Sequence, residues 1–187
     1  MDKRKEILLK ALQDPDVELR KIAADSLEKL QVRDRLDAII NKIGSGEMLE
    51  KIRAVYALAD IKGEKVIAAG AKALKDPSED VRAAAARVMG SFGDIRVLPH
   101  LVEAFKDASS MVVRSALDAF VKYNDSRYIE HLMPLLKNPD AGVVEKALEA
   151  VASTGDKRAE EAMIYFTVKG NPKMKAIALR ALGEMDR

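Results

Sequence analysis

Apolar residues recur along most of this chain with the spacing of one helix face. In "VLPHLVEAFK" (97–106), Leu98, Leu101, Val102 and Phe105 fall at i, i+3, i+4 and i+7, the interval that gathers side chains into one stripe of an α-helix. Pro99 lies in the first turn of that pattern, where a missing N–H costs little. A second helical stretch, 78–92, stops before Gly93, and Asp94 caps the helix that follows. Paired stretches are joined by short turns headed by Asp14-Pro15, Asp76-Pro77 or Asn138-Pro139. No window alternates polar and apolar residues long enough to predict a strand.

The pattern repeats every 31 residues without gaps. Val81 aligns with Leu19, Glu50, Val112, Val143 and Met174, and Met89 with Leu27, Leu58, Phe120, Val151 and Leu182. Six units follow, approximately 1–31, 32–62, 63–93, 94–124, 125–155 and 156–187, each predicted to be a helical hairpin. Neither helix of a unit can bury its apolar stripe alone, so the units stack around one continuous core. Small residues at Ala23-Ala24, Ala85-Ala86, Ala116, Ala147 and Ala178 let neighbouring helices approach closely. The expectation is an all-α, right-handed α-solenoid of about twelve helices forming a single domain over residues 1–187.

The text "DPSEDVRAAAARVMGSFGDIRVLPHLVEAFKD" (76–107) resembles HEAT-like repeats of the phycobilisome-lyase type, with an Asp-Pro turn, Val-Arg, paired alanines and Gly-Asp in the same order. The resemblance runs through essentially the whole chain. It implies that the Val-Arg helices line a concave face and the other helices a convex one. It leaves function open, because the family includes lyase subunits, hydroxylases, transport receptors and adaptors. The repeated Arg of the pattern stands as Arg20, Lys51, Arg82 and Lys175, with Val113 and Val144 in its place in units four and five. An Asp-to-Arg ladder is therefore expected to break there. Gly70 occupies a position that is Ile39, Leu101, Leu132 or Met163 elsewhere, compatible with a cavity, a close crossing or drift.

Composition narrows the function classes. The 187 residues are 48% hydrophobic and 33% charged, which suits a folded domain. Zero cysteines exclude a disulfide framework, a thiolate metal site and a Cys nucleophile. The basic N-terminus carries its apolar residues at helical spacing and does not read as a signal peptide. No segment has the apolar length of a membrane span. Cytoplasmic location in a prokaryote is the expectation, and the low Gln and Asn content points toward a thermophile.

Candidate chemistry is sparse. His100 and His131 stand one period apart and with Glu103 or Glu130 could approach a metal, but two polar surface residues on a repeated position fit better. Hydroxylases of the resembling type carry His-Glu pairs in the Val-Arg helices, where this chain has alanines and charges. Gly44-Ser45-Gly46 lacks the strand and Lys of a phosphate loop and reads as a flexible joint replacing a turn. No catalytic, cofactor or metal residues are assigned, and no cofactor is expected.

The inner face is the stronger candidate. Its charges nearly cancel, a poor match for a phosphate backbone. Apolar residues collect toward units one and two, at Ile22, Met48, Leu49, Ile52 and Tyr56, with Met111 further along and Arg53, Arg87 and Arg114 among them. An apolar cluster ringed by charges has the anatomy of a protein-binding patch. A small rotation of helix 47–61 would instead bury Ile52 and expose Glu50. The sequence thus predicts a non-enzymatic, monomeric adaptor or scaffold holding a protein or peptide segment in its concave groove. Nucleic-acid binding through the basic outer helices, and a bilin-lyase-like or metal-dependent activity, are the alternatives.

Overall fold

A computed structural model describes residues 2–185. Among these residues are eleven α-helices, four short 3₁₀ segments and no strand. The helices are α1 (Lys3–Ala11), α2 (Val17–Ser45), α3 (Met48–Tyr56), α4 (Glu64–Ala73), α5 (Glu79–Met89), α6 (Leu98–Ala104), α7 (Ser110–Val121), α8 (Ile129–Leu132), α9 (Ala141–Ser153), α10 (Glu160–Lys169) and α11 (Pro172–Glu184). The expected all-α solenoid is what the chain forms.

One helix fewer than expected arises at a definable place. Units end at Gly93, Asn124 and Gly155, 31 residues apart, and all three adopt positive φ (67°, 49° and 61°). That left-handed residue turns the chain out of one helix and into the next. The first unit has Gln31 in this place, which favours continuing the helix. α2 therefore runs for 29 residues, from the Asp16 cap through the expected joint. It continues through Gly44-Ser45, so this stretch is the end of a helix and not a joint. In unit five the expected helix is divided instead. α8 gives way at Met133 to a 3₁₀ segment, Met133–Lys137, where Pro134 supplies no N–H.

Three of the turns between units are each built by one side chain. Asp94, Asp125 and Asp156 cap the 3₁₀ turns by accepting from the N–H groups of Arg96, Arg127 and Arg158, and each holds the side chain of that same Arg. The Arg96 guanidinium holds the Asp94 carboxyl at about 2. Within units, Asp76, Asp107 and Asn138 close the hairpin by accepting from the N–H of Ser78, Ser109 and Asp140. The repeated acids are thus turn-formers first.

The core is continuous from Leu36 to Met185, while Ala23, Leu27 and Leu30 of the first unit are buried outside it and α1 has no buried residue. Val81, Val112 and Val143 are fully buried, as are Met89, Phe120 and Val151 two helix turns later. The Val-Arg helices α3, α5, α7, α9 and α11 pack directly on one another in succession, whereas the second row packs chiefly on its hairpin partners. Alanines set that spacing: Ala85, Ala86, Ala116, Ala147 and Ala178 are buried at the crossings. Gly90 makes a close one, for a Cβ there would stand 2.8 Å from the Ala119 Cα. Gly70 is also a close crossing, with the Met89 side chain filling the room a Cβ would take.

Candidate functional site

Two rungs of the expected ladder bind neighbouring units together. Lys51 Nζ lies 2.8 Å from Asp76 Oδ2. Arg82 donates through Nε to Asp107 Oδ2 at 2.7 Å and through Nη2 to Oδ1 at 2.9 Å. The Arg82 pairing holds the Asp107 carboxyl below its ordinary range despite burial. Ser45 stands where Arg20 would meet an acid, and Arg20 keeps only contacts to the carbonyls of Asp14 and Pro15, the same ones Arg82 makes to Asp76 and Pro77. Val113 and Val144 are buried where the ladder breaks, replacing the ion pairs with apolar contact.

The nine inner-face residues fall into three groups. Ile22, Met48, Leu49 and Tyr56 are exposed, Leu49 at 61%. Ile52 and Met111 are half-buried and packed against the core. Glu50 is exposed, and its carboxylate accepts from the Glu47 N–H at 3.2 Å. Of the arginines, Arg53 has no ion-pair or hydrogen-bond partner among the described residues. Arg87 Nε reaches Ser115 Oγ at 3.3 Å and no carboxylate. Arg114 lies 3.8 Å from Asp140. Ala83 and Ala84, on the same helix as Arg87, are buried and take no part in the exposed face.

Charge is distributed unevenly along this row. Toward the C-terminal half, Lys146 bridges Asp118 at 2.8 Å and Glu149 at 3.0 Å, while Lys173 joins Glu149 to Glu145. Those groups satisfy one another across three units. The Asp118 carboxylate and its neighbours accordingly raise the Lys146 pKa. Around α3, by contrast, exposed apolar side chains stand beside an unpaired guanidinium.

The second row is less basic in effect than in sequence. Arg4 pairs with Asp2, Arg33 with Asp34, Lys65 with Asp37, Lys75 with Glu103 and Arg96 with Asp94. His100 is half-buried and His131 exposed beside the Tyr128 ring. Among the described residues no three His, Asp or Glu side chains are placed to hold a metal, and no helix is long and apolar enough to cross a membrane.

Sequence reading missed a second exposed apolar group, Ile164, Tyr165 and Val168 on α10 with Leu179 on α11. Its signal was present: "MIYFTVK" is apolar on several faces of its helix.

Residues 36–121 match the family model of HEAT repeats. No curated protein sequence matches the chain. Among solved structures, human deoxyhypusine hydroxylase in complex with glycerol is similar at TM-score 0.64 and 21% identity, over 86% of this chain and 66% of that one. The complex of CpcE and CpcF of phycocyanin lyase from Nostoc gives TM-score 0.55 and 21% identity, over 98% and 77%. A designed armadillo repeat protein in complex with the peptide (KR)4 gives 0.60 and 19%, over 98% and 100%. At these identities the likeness is one of fold, which enzymes and peptide binders share.

Proposed function

We propose that this HEAT-like repeat chain is a non-catalytic adaptor that holds a segment of a partner protein against the N-terminal half of its inner helix row. The carrying observation is the contrast along that row: Met48, Leu49 and Tyr56 are exposed beside the unpaired Arg53, while Asp118, Glu145, Lys146, Glu149 and Lys173 of units four to six satisfy one another. Leu49, Ile52 and Tyr56 supply apolar contact, with Ile22, Met48 and Met111 at its margins. Arg53 and Arg87 meet carboxylates of the partner, and Arg114 can leave its long contact with Asp140 to do the same. Tyr, Met and Arg are the residue types over-represented at such contacts. The segment that fits is extended or helical, with two or three large apolar residues and flanking Asp or Glu. Pairing of the second-row cations with neighbouring acids argues against a phosphate backbone as ligand.

Selection from a random peptide display library tests this reading. Bound sequences should combine Leu, Ile or aromatic residues with acids, and Leu49→Asp or Tyr56→Asp should weaken them by about tenfold or more. Peptides that bind both variants as well as the parent chain would refute the assigned surface.

A further inference from the structure

The two ends of the array carry unmatched halves of the interface that joins its internal units. In the second row, Ala71, Leu74 and Lys75 of one unit face His100, Glu103 and Ala104 of the next across a shared depression. Met133, Leu136 and Lys137 face Ala162, Tyr165 and Phe166 in the same register. Advancing that register by one period puts Ile164 and Val168 opposite Ile7, and all three are exposed apolar residues. In the inner row, Leu117 and Leu148 are fully buried, whereas their equivalent in the last unit, Leu179, is 62% exposed. At the other end Leu19 is exposed, while its equivalents Val81, Val112 and Val143 are fully buried.

The charges continue in the same register. Lys65 pairs with Asp37, and Arg158 with Glu130, each cation lying one unit beyond its anion. The next members of these two series are Lys3 and Glu161. Likewise Lys51 pairs with Asp76 and Arg82 with Asp107, and the next members are Lys175 and Asp14. Asp14 already has the turn geometry of Asp76, its Oδ1 accepting from the Asp16 N–H at 2.9 Å. Lys3 and Lys175 have no ion-pair partner among the described residues.

We propose that a second copy of this chain stacks head to tail on the first, α1 and α2 of one copy continuing the row after α10 and α11 of the other. Lys175 meets Asp14, Glu161 meets Lys3, and Leu179, Ile164 and Val168 become buried against Leu19 and Ile7. The contact is heterologous, so copies of this chain add head to tail into an open filament, or into a ring where the rotation closes. This departs from the monomer expected from sequence, and it uses a surface separate from the patch around Leu49 and Tyr56.

Sedimentation velocity across a concentration series up to about 1 mM tests it. The parent chain should form species growing with concentration beyond a dimer, and Leu179→Arg, an exposed position, should weaken association about tenfold or more. Lys175→Glu and Asp14→Lys should each weaken self-association, and an equimolar mixture of the two should assemble again, because opposite charges meet at both junctions. Thermal melts of each variant establish that it is folded. A chain that stays monomeric throughout, or an assembly indifferent to these substitutions, overturns the proposal.

Discussion

Arg82 and Asp107 join two successive units through a two-pronged contact, Nε to Oδ2 at 2.7 Å and Nη2 to Oδ1 at 2.9 Å. Both side chains are largely buried, 17% and 12% exposed. Arg82 also donates to the carbonyls of Asp76 and Pro77, tying its own hairpin turn to the next unit. Arg82→Ala removes all of these and leaves Asp107 desolvated, so a loss of about 2 kcal/mol is expected, between an exposed and a fully buried pair. Denaturant unfolding measures it. Removing both partners, as Arg82→Met with Asp107→Leu, should recover part of that loss.

The same pair predicts an acid dependence. Arg82 lowers the Asp107 pKa, with burial opposing it. A depressed carboxyl stabilises the fold above its unfolded value, near 3.9, and that contribution disappears as pH falls through the folded value. The stability gap between the parent chain and Arg82→Ala should therefore be widest near neutrality and narrow below pH about 4.

Gly90 tests how tightly the inner row is packed. Its backbone is helical, with φ −63°, so alanine would gain roughly 1 kcal/mol of helix propensity. A Cβ there, however, would sit 2.6 Å from the Ala119 Cβ and 2.8 Å from its Cα. Forcing a helix apart costs about 1–3 kcal/mol, and here it meets backbone that cannot rotate aside. Gly90→Ala should thus lower the melting temperature, and adding Ala119→Gly should restore part of it. A stabilised Gly90→Ala would contradict the crossing.

Gln31 marks where sequence and structure part company. The 31-residue period, the core positions and the two-row stacking are legible because burial repeats with the pattern, from Val81 to Val112 to Val143. Helix boundaries are less so, for they depend on one residue at each joint. Where that residue is Gly93, Asn124 or Gly155 the chain takes positive φ, at Lys62 the following Gly63 takes it instead (128°), and where it is Gln31 the helix runs on. Periodicity alone treats all joints alike. The inner face was legible as a set of candidates but not as exposures: Met111 and Leu49 occupy equivalent positions, yet Met111 is half-buried and Leu49 exposed, because burial depends on how far each helix turns. Gln31→Gly, placed inside α2, should cost about 1 kcal/mol, and Gly155→Ala, at φ 61°, about the same by the opposite route. Chemical denaturation of the two variants decides between a continuous helix and a turn at Gln31.

Asp94 should titrate far below an ordinary aspartate. Its carboxyl accepts from both the side chain and the N–H of Arg96, which hold it at about 2. Carbon-detected NMR of the carboxyl should find a midpoint near that value, and Arg96→Gln should raise it toward the ordinary 3.8. Asp125 and Asp156, held by Arg127 and Arg158, should also titrate low. The turns are therefore expected to keep their caps to pH well below 4.

Binding at α3 can be separated from folding within three consecutive turns of chain. Leu49 and Tyr56 are exposed while Val55, between them in sequence, is fully buried. Leu49→Asp and Tyr56→Asp should shift unfolding free energy by no more than about 0.5 kcal/mol. Val55→Asp places an unpaired carboxylate in the core and should cost several-fold more, about 3 kcal/mol or above. Peptide affinity should show the reverse order among folded variants, lost with Leu49→Asp and Tyr56→Asp at full stability. An exposed apolar pair that can be made acidic without loss of either stability or binding would have no role in recognition.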